Sequence, residues 1–297
     1  MIDPMNTSMQ AAQLLARGEA ALHANDLALA GQELRAARNH AATRLAAHNL
    51  IERHRLPGAF GEWIGVNCEI SPRDDIYRFF DGHPTSINPL RDYLADGWRT
   101  LSELMLLLES VGCQLFGAGS FLEFASGHGR FTRHLAKALE PRRVTVSDVV
   151  ADAVEFARGA FCVDGFVSAA KPEDLNWPAR YDLVFVLSLF SHLPRSSWGR
   201  WLRRLFDAVT PGGVLVFSTH GVEAARRQNV TLDSEGFFFA PSSESHAIDA
   251  QEYGTTFTSE AFVRTQITQW TPKAQLLRFA PVWFWHHQDA WVLRRAR

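Results

Sequence analysis

The chain has 297 residues, 46% of them hydrophobic, enough for one large α/β domain and a smaller appendage. Thirty Lys and Arg against 32 Asp and Glu leave a formal net charge of -2, which gives no global pull toward nucleic acid or an anionic membrane. No run of 18 apolar residues is present, the opening MIDPMNTSMQ lacks a signal-peptide pattern, and three widely spaced cysteines suit buried thiols in a reducing cytoplasm better than disulfides or a zinc site.

Residues 9–56 are rich in alanine and leucine at helical spacing, with no strand pattern. Gly18, Ala30, Leu34 and Ala37 fall at intervals that resemble a single tetratricopeptide unit, a helix–turn–helix pair. One such unit cannot bury its own faces. Residues 1–57 are therefore expected as a helical appendage docked on the catalytic domain or on a second copy of the chain, with a peptide-binding scaffold as the sharper alternative. Pro57, Gly58 and Gly61 mark the break, and residues 58–297 are expected as the main domain. Residues 62–92 mix aromatics, charges and turn signals and read as irregular structure. Residues 93–112 read as a helix with Leu101, Leu104, Met105, Leu108 and Val111 on one face. At its start, Tyr93, Gly97, Trp98 and Arg99 either close over a ligand or anchor the helix.

The centre of the chain is SFLEFASGHGRFTRHLAKAL, residues 120–139. Phe121, Leu122, Phe124 and Ala125 read as a buried strand, and Gly127, His128 and Gly129 as a tight turn. Phe131, Leu135, Ala138 and Leu139 then recur at helical spacing, with Arg130, Arg133, His134 and Lys137 assigned to the polar side. Strand, glycine turn and helix in this order bring backbone N–H groups and a helix N-terminus to a ligand. Asp148 ends the next strand, about 20 residues after the turn, where a Rossmann-like fold places its ribose-binding acid. Nucleoside binding follows as the expectation.

The run E-x-A-x-G-x-G from Glu123 to Gly129 resembles motif I of the class I S-adenosylmethionine-dependent methyltransferases. Thr132 occupies the third glycine position of the dinucleotide fingerprint, and Ala125 stands where the family usually has its first glycine. That methyl group is expected to alter packing without abolishing binding. The resemblance implies a Rossmann-like doubly wound α/β fold with a seven-stranded sheet. It implies S-adenosyl-L-methionine as cofactor and S-adenosyl-L-homocysteine as product, held by Glu123, Ala125, Gly127, Gly129, Asp148, Val149, Ser168, Leu187 and Gly97.

Onward, residues 151–160 read as a helix and 165–168 as a strand. The family's usual adenine-binding acid is missing after that strand. Ser168, Ala169 and Ala170 stand there, so adenine is expected to meet backbone groups and one hydroxyl. YDLVFVL, residues 181–187, reads as a central parallel strand. The following SLFSHLP lacks the N/D-P-P-Y/F tetrapeptide of amino-group enzymes acting on bases or glutamine and the Pro-Cys pair of cytosine C5 enzymes, which argues against nucleic-acid methylation. Trp198, Trp201, Leu202, Leu205, Phe206 and Val209 stripe the next helix, Pro211 to Gly213 is expected to end it, and residues 214–219 form the fifth strand. Residues 220–257 show no strong periodicity and are expected as an acceptor lid. FTSEAFVRTQI reads as a capped helix, and QLLRFAPV and AWVLRR as the last two strands. By family resemblance the final strand is antiparallel and inserted beside the fifth, which places residues 283–289, WFWHHQD, at the cofactor edge. YGTTFTSEAFV with HHQDAWVLRR is similar to methyltransferases encoded with glycan-tailoring enzymes.

A sulfonium methyl is already activated, so the protein mainly aligns acceptor and donor and excludes water. A hydroxyl acceptor also needs a base, for which histidine serves near neutral pH. Three places lie at expected carboxyl ends of strands: His220, ranked first, then His192, and the pair His286 and His287. The favoured function is a cytoplasmic O-methyltransferase for a sugar, glycan or other small hydroxylated metabolite. No nucleic acid, metal or membrane partner is expected, and a homo-oligomer through the N-terminal helices is a further expectation. The alternative is a non-catalytic cofactor-binding scaffold in a biosynthetic assembly.

Overall fold

The computed structural model describes residues 4–241 and 251–297. Residues 242–250, part of the expected lid, lie outside that description. The chain divides into two compact units, Met1–Leu94 and Ala95–Arg297, so the first extends past the break expected at Pro57–Gly61.

The first unit is helical. Its opening pair is α1 (Pro4–His23) and α2 (Leu27–Arg38), followed by α3 (Arg44–Arg53). The Asp26 carboxylate caps α2 by accepting the Leu29 N–H at 3.0 Å. A Cβ at Gly18 would stand 2.6 Å from the Leu34 side chain, and Ala30, Leu34 and Ala37 are fully buried. The four small or apolar positions that carried the sequence pattern thus form the close contact between α1 and α2. Two short helices follow, α4 (Phe60–Ile64) and α5 (Asp75–Gly82). The Asp74 carboxylate caps α5 through Ile76 N–H and Tyr77 N–H, and also accepts the Tyr93 hydroxyl at 2.5 Å. Tyr93 is fully buried against the Tyr77 and Phe80 rings. Of its two expected roles, the anchor is the observed one.

Helix α6 (Pro89–Glu109) begins in the first unit and continues into the second. There the chain alternates strand and helix: β1 (Phe121–Phe124), α7 (Thr132–Leu139), β2 (Val144–Asp148), α8 (Ala151–Phe161), β3 (Asp164–Val167), β4 (Tyr181–Val186), α9 (Arg195–Asp207), β5 (Val209–Thr219) and α10 (Val222–Arg227). After these come β6 (Phe237–Ala240), β7 (Thr255–Thr258), α11 (Glu260–Trp270), β8 (Ala274–Phe284) and β9 (Gln288–Arg295). Seven strands form one sheet in the order β3-β2-β1-β4-β5-β9-β8. The first five are parallel, while β9 runs antiparallel to β5 and β8 antiparallel to β9, as the resemblance implied.

Alternate residues of each strand feed two cores. Phe121, Val146, Phe185, Val216 and Val292 pack with Leu104, Leu108, Phe131, Leu135 and Val154 on one face. Leu122, Phe124, Val184, Val186, Leu215, Phe217 and Trp291 pack with Trp198, Leu202, Phe262 and Val263 on the other. Each fully buried side chain of this size contributes about 1.5–3 kcal/mol. Both faces are covered, which is why the parallel strands read as continuous apolar runs.

Four expectations give way. Pro211 to Gly213 do not end α9, which stops at Asp207; they lie inside β5, with Gly212 at φ +84° beside the register shift between Tyr181 and Leu183. The stretch 220–257, read as without strong periodicity, contains α10 and a separate antiparallel pair, β6 with β7. Arg133 and His134, assigned to the polar face of α7, are 2% and 5% exposed. Cys162, expected as a buried thiol, is exposed at the left-handed end of α8, whereas Cys68 is buried.

Candidate functional site

Order β2-β1-β4-β5 places the switch in winding direction between β1 and β4, and a doubly wound sheet opens its ligand crevice there, at the carboxyl ends of the strands. The glycine turn emerges at that point. Ala125 is left-handed, at φ +59°, followed by Gly127 at +54° and Gly129 at +81°. The family's first glycine therefore has a conformational cause, and Ala125 bears it with a methyl group in place.

The two remaining glycines do different work. A Cβ at Gly129 would stand 2.3 Å from the Phe161 ring, so this residue lets α8 close on the turn. Arg133, beneath the same ring, donates from Nε to the Gly129 carbonyl at 3.1 Å and holds its guanidinium 5.0 Å from the Phe161 centroid. At Gly127 nothing lies within 4 Å of the Cβ position. That open space is the cradle a ligand needs against bare backbone.

Asp148 faces the cradle from the end of β2. Its Oδ2 accepts the Gly127 N–H at 2.8 Å and its Oδ1 the Val150 N–H at 2.9 Å, so the carboxylate pins the turn as well as offering its outer lone pairs. Burial pushes its pKa up, opposed by these backbone donors. Glu123 lies one strand away, buried, accepting the Thr132 hydroxyl at 2.6 Å. Desolvation, aided by the nearby Asp148 charge against the Thr132 hydrogen bond, raises its pKa to about 8. Its burial favours the neutral acid.

The other expected cofactor residues fall into two groups. Val149 follows Asp148 at the cradle, the Ser168 N–H donates to the Asp148 carbonyl at 2.8 Å, and Leu187 follows β4 against the first core. Gly97 instead supports the turn from behind. A Cβ there would stand 2.1 Å from the Arg130 carbonyl, so α6 packs directly on the turn's backbone. Arg130 pairs with Asp96 and lies 4.8 Å from the Trp285 centroid. Trp285 and Trp283 in turn hydrogen-bond to Glu103 of α6, which ties the β8–β9 connection to this helix.

Three of the expected histidines meet at the ends of β4, β5 and β9. His220 and His287 have ring centroids 4.9 Å apart, and His192 and His220 6.2 Å apart; His286 is exposed and stands outside the cluster. His220 is buried, stacked on Phe257 at 5.2 Å, with its Nε2 3.4 Å from the Gln288 Nε2. Its Nδ1 makes no hydrogen bond among the described residues. Burial, with the neighbouring His287 and His192, lowers its pKa to about 3. Of Gln288 and Asp289, the two residues whose position after His287 suggests an orienting partner for His220, Gln288 makes the approach and Asp289 accepts the Val282 N–H at 2.8 Å.

His192 has a different environment. It is half-buried, its ring stacks on Tyr253 at 4.4 Å, and its Nδ1 is 2.7 Å from the Gly254 carbonyl. A carbonyl only accepts, so Nδ1 carries a proton, and in the neutral ring Nε2 is the lone-pair nitrogen. The chain returning toward β7 is fixed to this same stretch: Gly254 N–H donates to the His192 carbonyl at 2.8 Å and Thr256 N–H to the Ser191 carbonyl at 2.7 Å. Tyr253 and Gly254 escaped the sequence reading because their partner lies 62 residues away. An open groove of about 730 Å³ along β6, lined by Arg195, Asp233 and Phe237–Phe239 among others, is separate from the glycine turn.

A family model described as a methyltransferase domain matches residues 122–215. No curated protein matches the chain in sequence. Among solved structures, Streptomyces venezuelae DesVI is 14% identical with a TM-score of 0.51, over 76% of this chain and all of that one. Magnesium protoporphyrin IX methyltransferase (ChlM) from Synechocystis PCC 6803 with bound SAH is 16% identical, TM-score 0.48, over 75% of this chain and 94% of its own. N-methyltransferase NodS from Bradyrhizobium japonicum in complex with SAH is 17% identical, TM-score 0.46, over 75% and 100%. Residues 122–215 thus match a methyltransferase domain and lie in a Rossmann-like α/β fold, and S-adenosylmethionine is the cofactor that the glycine cradle and Asp148 fit.

Proposed function

We propose that this protein transfers the methyl group of S-adenosylmethionine to a hydroxyl oxygen of a sugar, glycan or other small hydroxylated metabolite, with His192 as the base. The observation that carries this reading is the His192 imidazole beyond the end of β4, whose Nδ1–H is tied to the Gly254 carbonyl, which assigns the lone pair of the neutral ring to Nε2. His220, ranked first from its sequence position, is the weaker base. A nitrogen with a pKa of about 3 has little affinity for the proton of a hydroxyl.

The cofactor supplies an activated methyl on sulfur. Gly127 lets its chain approach the backbone, and the Asp148 carboxylate offers acceptors to the ribose diol while holding the Gly127 N–H. Val149, Ser168 and Leu187 would flank the nucleoside. His192 takes the acceptor's proton at Nε2 as the oxygen attacks, and Tyr253 keeps the ring in place. The returning lid shields the reacting atoms from water. The tetratricopeptide-like helices are a candidate surface for homo-oligomer formation, and a cytoplasmic setting suits the cofactor.

The test is turnover of a panel of hydroxylated sugars, read as S-adenosylhomocysteine release, by the wild type, His192→Ala and His220→Ala. His192→Ala should lower turnover by about 10²–10⁴-fold with cofactor affinity unchanged. Near-normal turnover in His192→Ala would remove the base from this residue, and methyl groups found on nitrogen alone would overturn the hydroxyl reading.

A further inference from the structure

Gln288 begins β9 and is almost fully buried, yet its side-chain amide reaches across to the ends of two other strands. Its Oε1 accepts the Ser218 hydroxyl of β5 at 2.5 Å. Its Nε2 donates to Ser188 Oγ at 2.7 Å and lies 3.4 Å from His220 Nε2. The Ser188 N–H donates back to Ser218 Oγ at 2.8 Å, which closes a ring of three hydrogen bonds and one weaker approach.

Ser188 is the first residue beyond Leu187 at the end of β4, and it is left-handed, at φ +63°, which is costly for a residue with a Cβ. Its carbonyl accepts the Ser191 hydroxyl at 2.6 Å. Backbone N–H, carbonyl and side-chain oxygen are thus all engaged, and what remains is the hydroxyl proton, which meets no acceptor among the described residues. The residue is half-buried just beyond the carboxyl end of β4, the edge at which the crevice opens.

The amide can be placed two ways round, and the surroundings choose between them. With Oε1 toward Ser218, the Ser218 hydroxyl proton has an acceptor. With Nε2 there instead, a fully buried hydroxyl would face only donors, the Ser188 N–H and the amide. An unmet buried donor costs about 1–3 kcal/mol. The structure holds the first orientation, which leaves the His220 Nδ1 proton as a buried donor without a hydrogen bond among the described residues, and it fixes the proton positions around it. Ser188 Oγ receives a hydrogen bond and must donate outward, and His220 Nε2 faces a donor and must be the unprotonated nitrogen.

We propose that Gln288 is a positioning residue that sets the hydrogen-bond polarity of the acceptor site, turning the Ser188 hydroxyl into a donor aimed at the crevice and favouring oxygen over nitrogen acceptors. The step from polarity to acceptor rests on the methyltransferase reading above. A hydroxyl oxygen has two lone pairs, so one receives the Ser188 proton while the other attacks the methyl, and its own proton leaves to His192. A neutral amine has a single lone pair. A hydrogen bond from Ser188 would occupy the electrons the attack needs, and a protonated amine would offer Ser188 nothing to bind.

The experiment is nitrogen-15 NMR of the full chain labelled in histidine, with the His220 signals assigned by their loss in His220→Gln. In the wild type His220 should be neutral near pH 7, protonated on Nδ1 and bare on Nε2. In Gln288→Glu the carboxylate accepts from both neighbours, so His220 should move its proton to Nε2 and the Ser188 hydroxyl should turn inward. A wild-type His220 protonated on Nε2, or a folded Gln288→Glu with unchanged His220 signals, overturns the proposal. The wild-type spectrum decides even if the variant does not fold. Saturable binding of S-adenosylmethionine by the same samples separates failure of this proposal from failure of the methyltransferase reading.

Discussion

Ala125 holds a glycine conformation with a methyl group attached, and its energetics can be measured without any ligand. A left-handed residue with a Cβ costs about 1–2 kcal/mol, from which the freedom a glycine adds to the unfolded chain removes about 0.4–1 kcal/mol. Ala125→Gly should therefore stabilise the fold by roughly 0.5–1 kcal/mol, seen as a higher urea midpoint; a lower midpoint would show that the methyl's packing outweighs its backbone cost. Glu123 supplies a pH dependence. Its ordinary pKa is 4.5 and its folded one about 8, so between these values the folded chain keeps a proton the unfolded chain has released. Stability from this group is present below pH 4.5 and is lost as pH rises toward about 8. Glu123→Gln should gain on the wild type between pH 5 and pH 8 in chemical denaturation, and parallel profiles would contradict the neutral carboxyl. Both residues were visible in the sequence as motif members. The left-handed backbone and the buried acid were not, because each depends on what the rest of the sheet packs around it.

At the scale of elements, the strand–turn–helix around Gly127 was legible because apolar period and glycine punctuation agree over twenty residues. What misled was local chemistry overridden from a distance. Pro211 to Gly213 look like a helix stop, yet they are drawn into β5 by its pairing with β4 and β9. Arg133 looks solvated from its helical phase, but Phe161 and the Gly129 carbonyl take it inside. The pair β6–β7 is a short sheet whose strands lie 14 residues apart, too brief for a periodic signal. The two turn glycines give a paired test. Gly129→Ala drives a Cβ to within 2.3 Å of Phe161 and should destabilise the fold or prevent it from forming. Gly127→Ala meets no protein atom, so it should fold with only the left-handed cost of about 1–2 kcal/mol, yet lose cofactor affinity because its methyl enters the cradle. Thermal melts and cofactor titration of both variants check this. Equal stability losses, or retained binding in Gly127→Ala, would contradict the division of labour.

For the molecule as a whole, the doubly wound sheet, its antiparallel insertion and the cofactor edge followed from the order of apolar runs and from family likeness. Of the proposed acceptor site, His192 and the segment holding Gln288 were legible, but their joining with Ser188, Ser218, Tyr253 and Gly254 was not, because these come from four separate stretches joined only by the fold. Among the described residues no helix is long and apolar enough to cross a membrane, and no group of three His, Cys, Asp or Glu is placed to hold a metal ion. On the proposed reading this fold binds S-adenosylmethionine through the Gly127 cradle and the Asp148 carboxylate. Calorimetric titration of S-adenosylmethionine into the full chain and into Asp148→Ala tests it most directly. Saturable one-site binding is expected in the wild type, weaker in a folded Asp148→Ala by roughly 1.5–3 kcal/mol, about 10- to 150-fold in Kd. No binding by the wild type, or the same affinity in both, would contradict it.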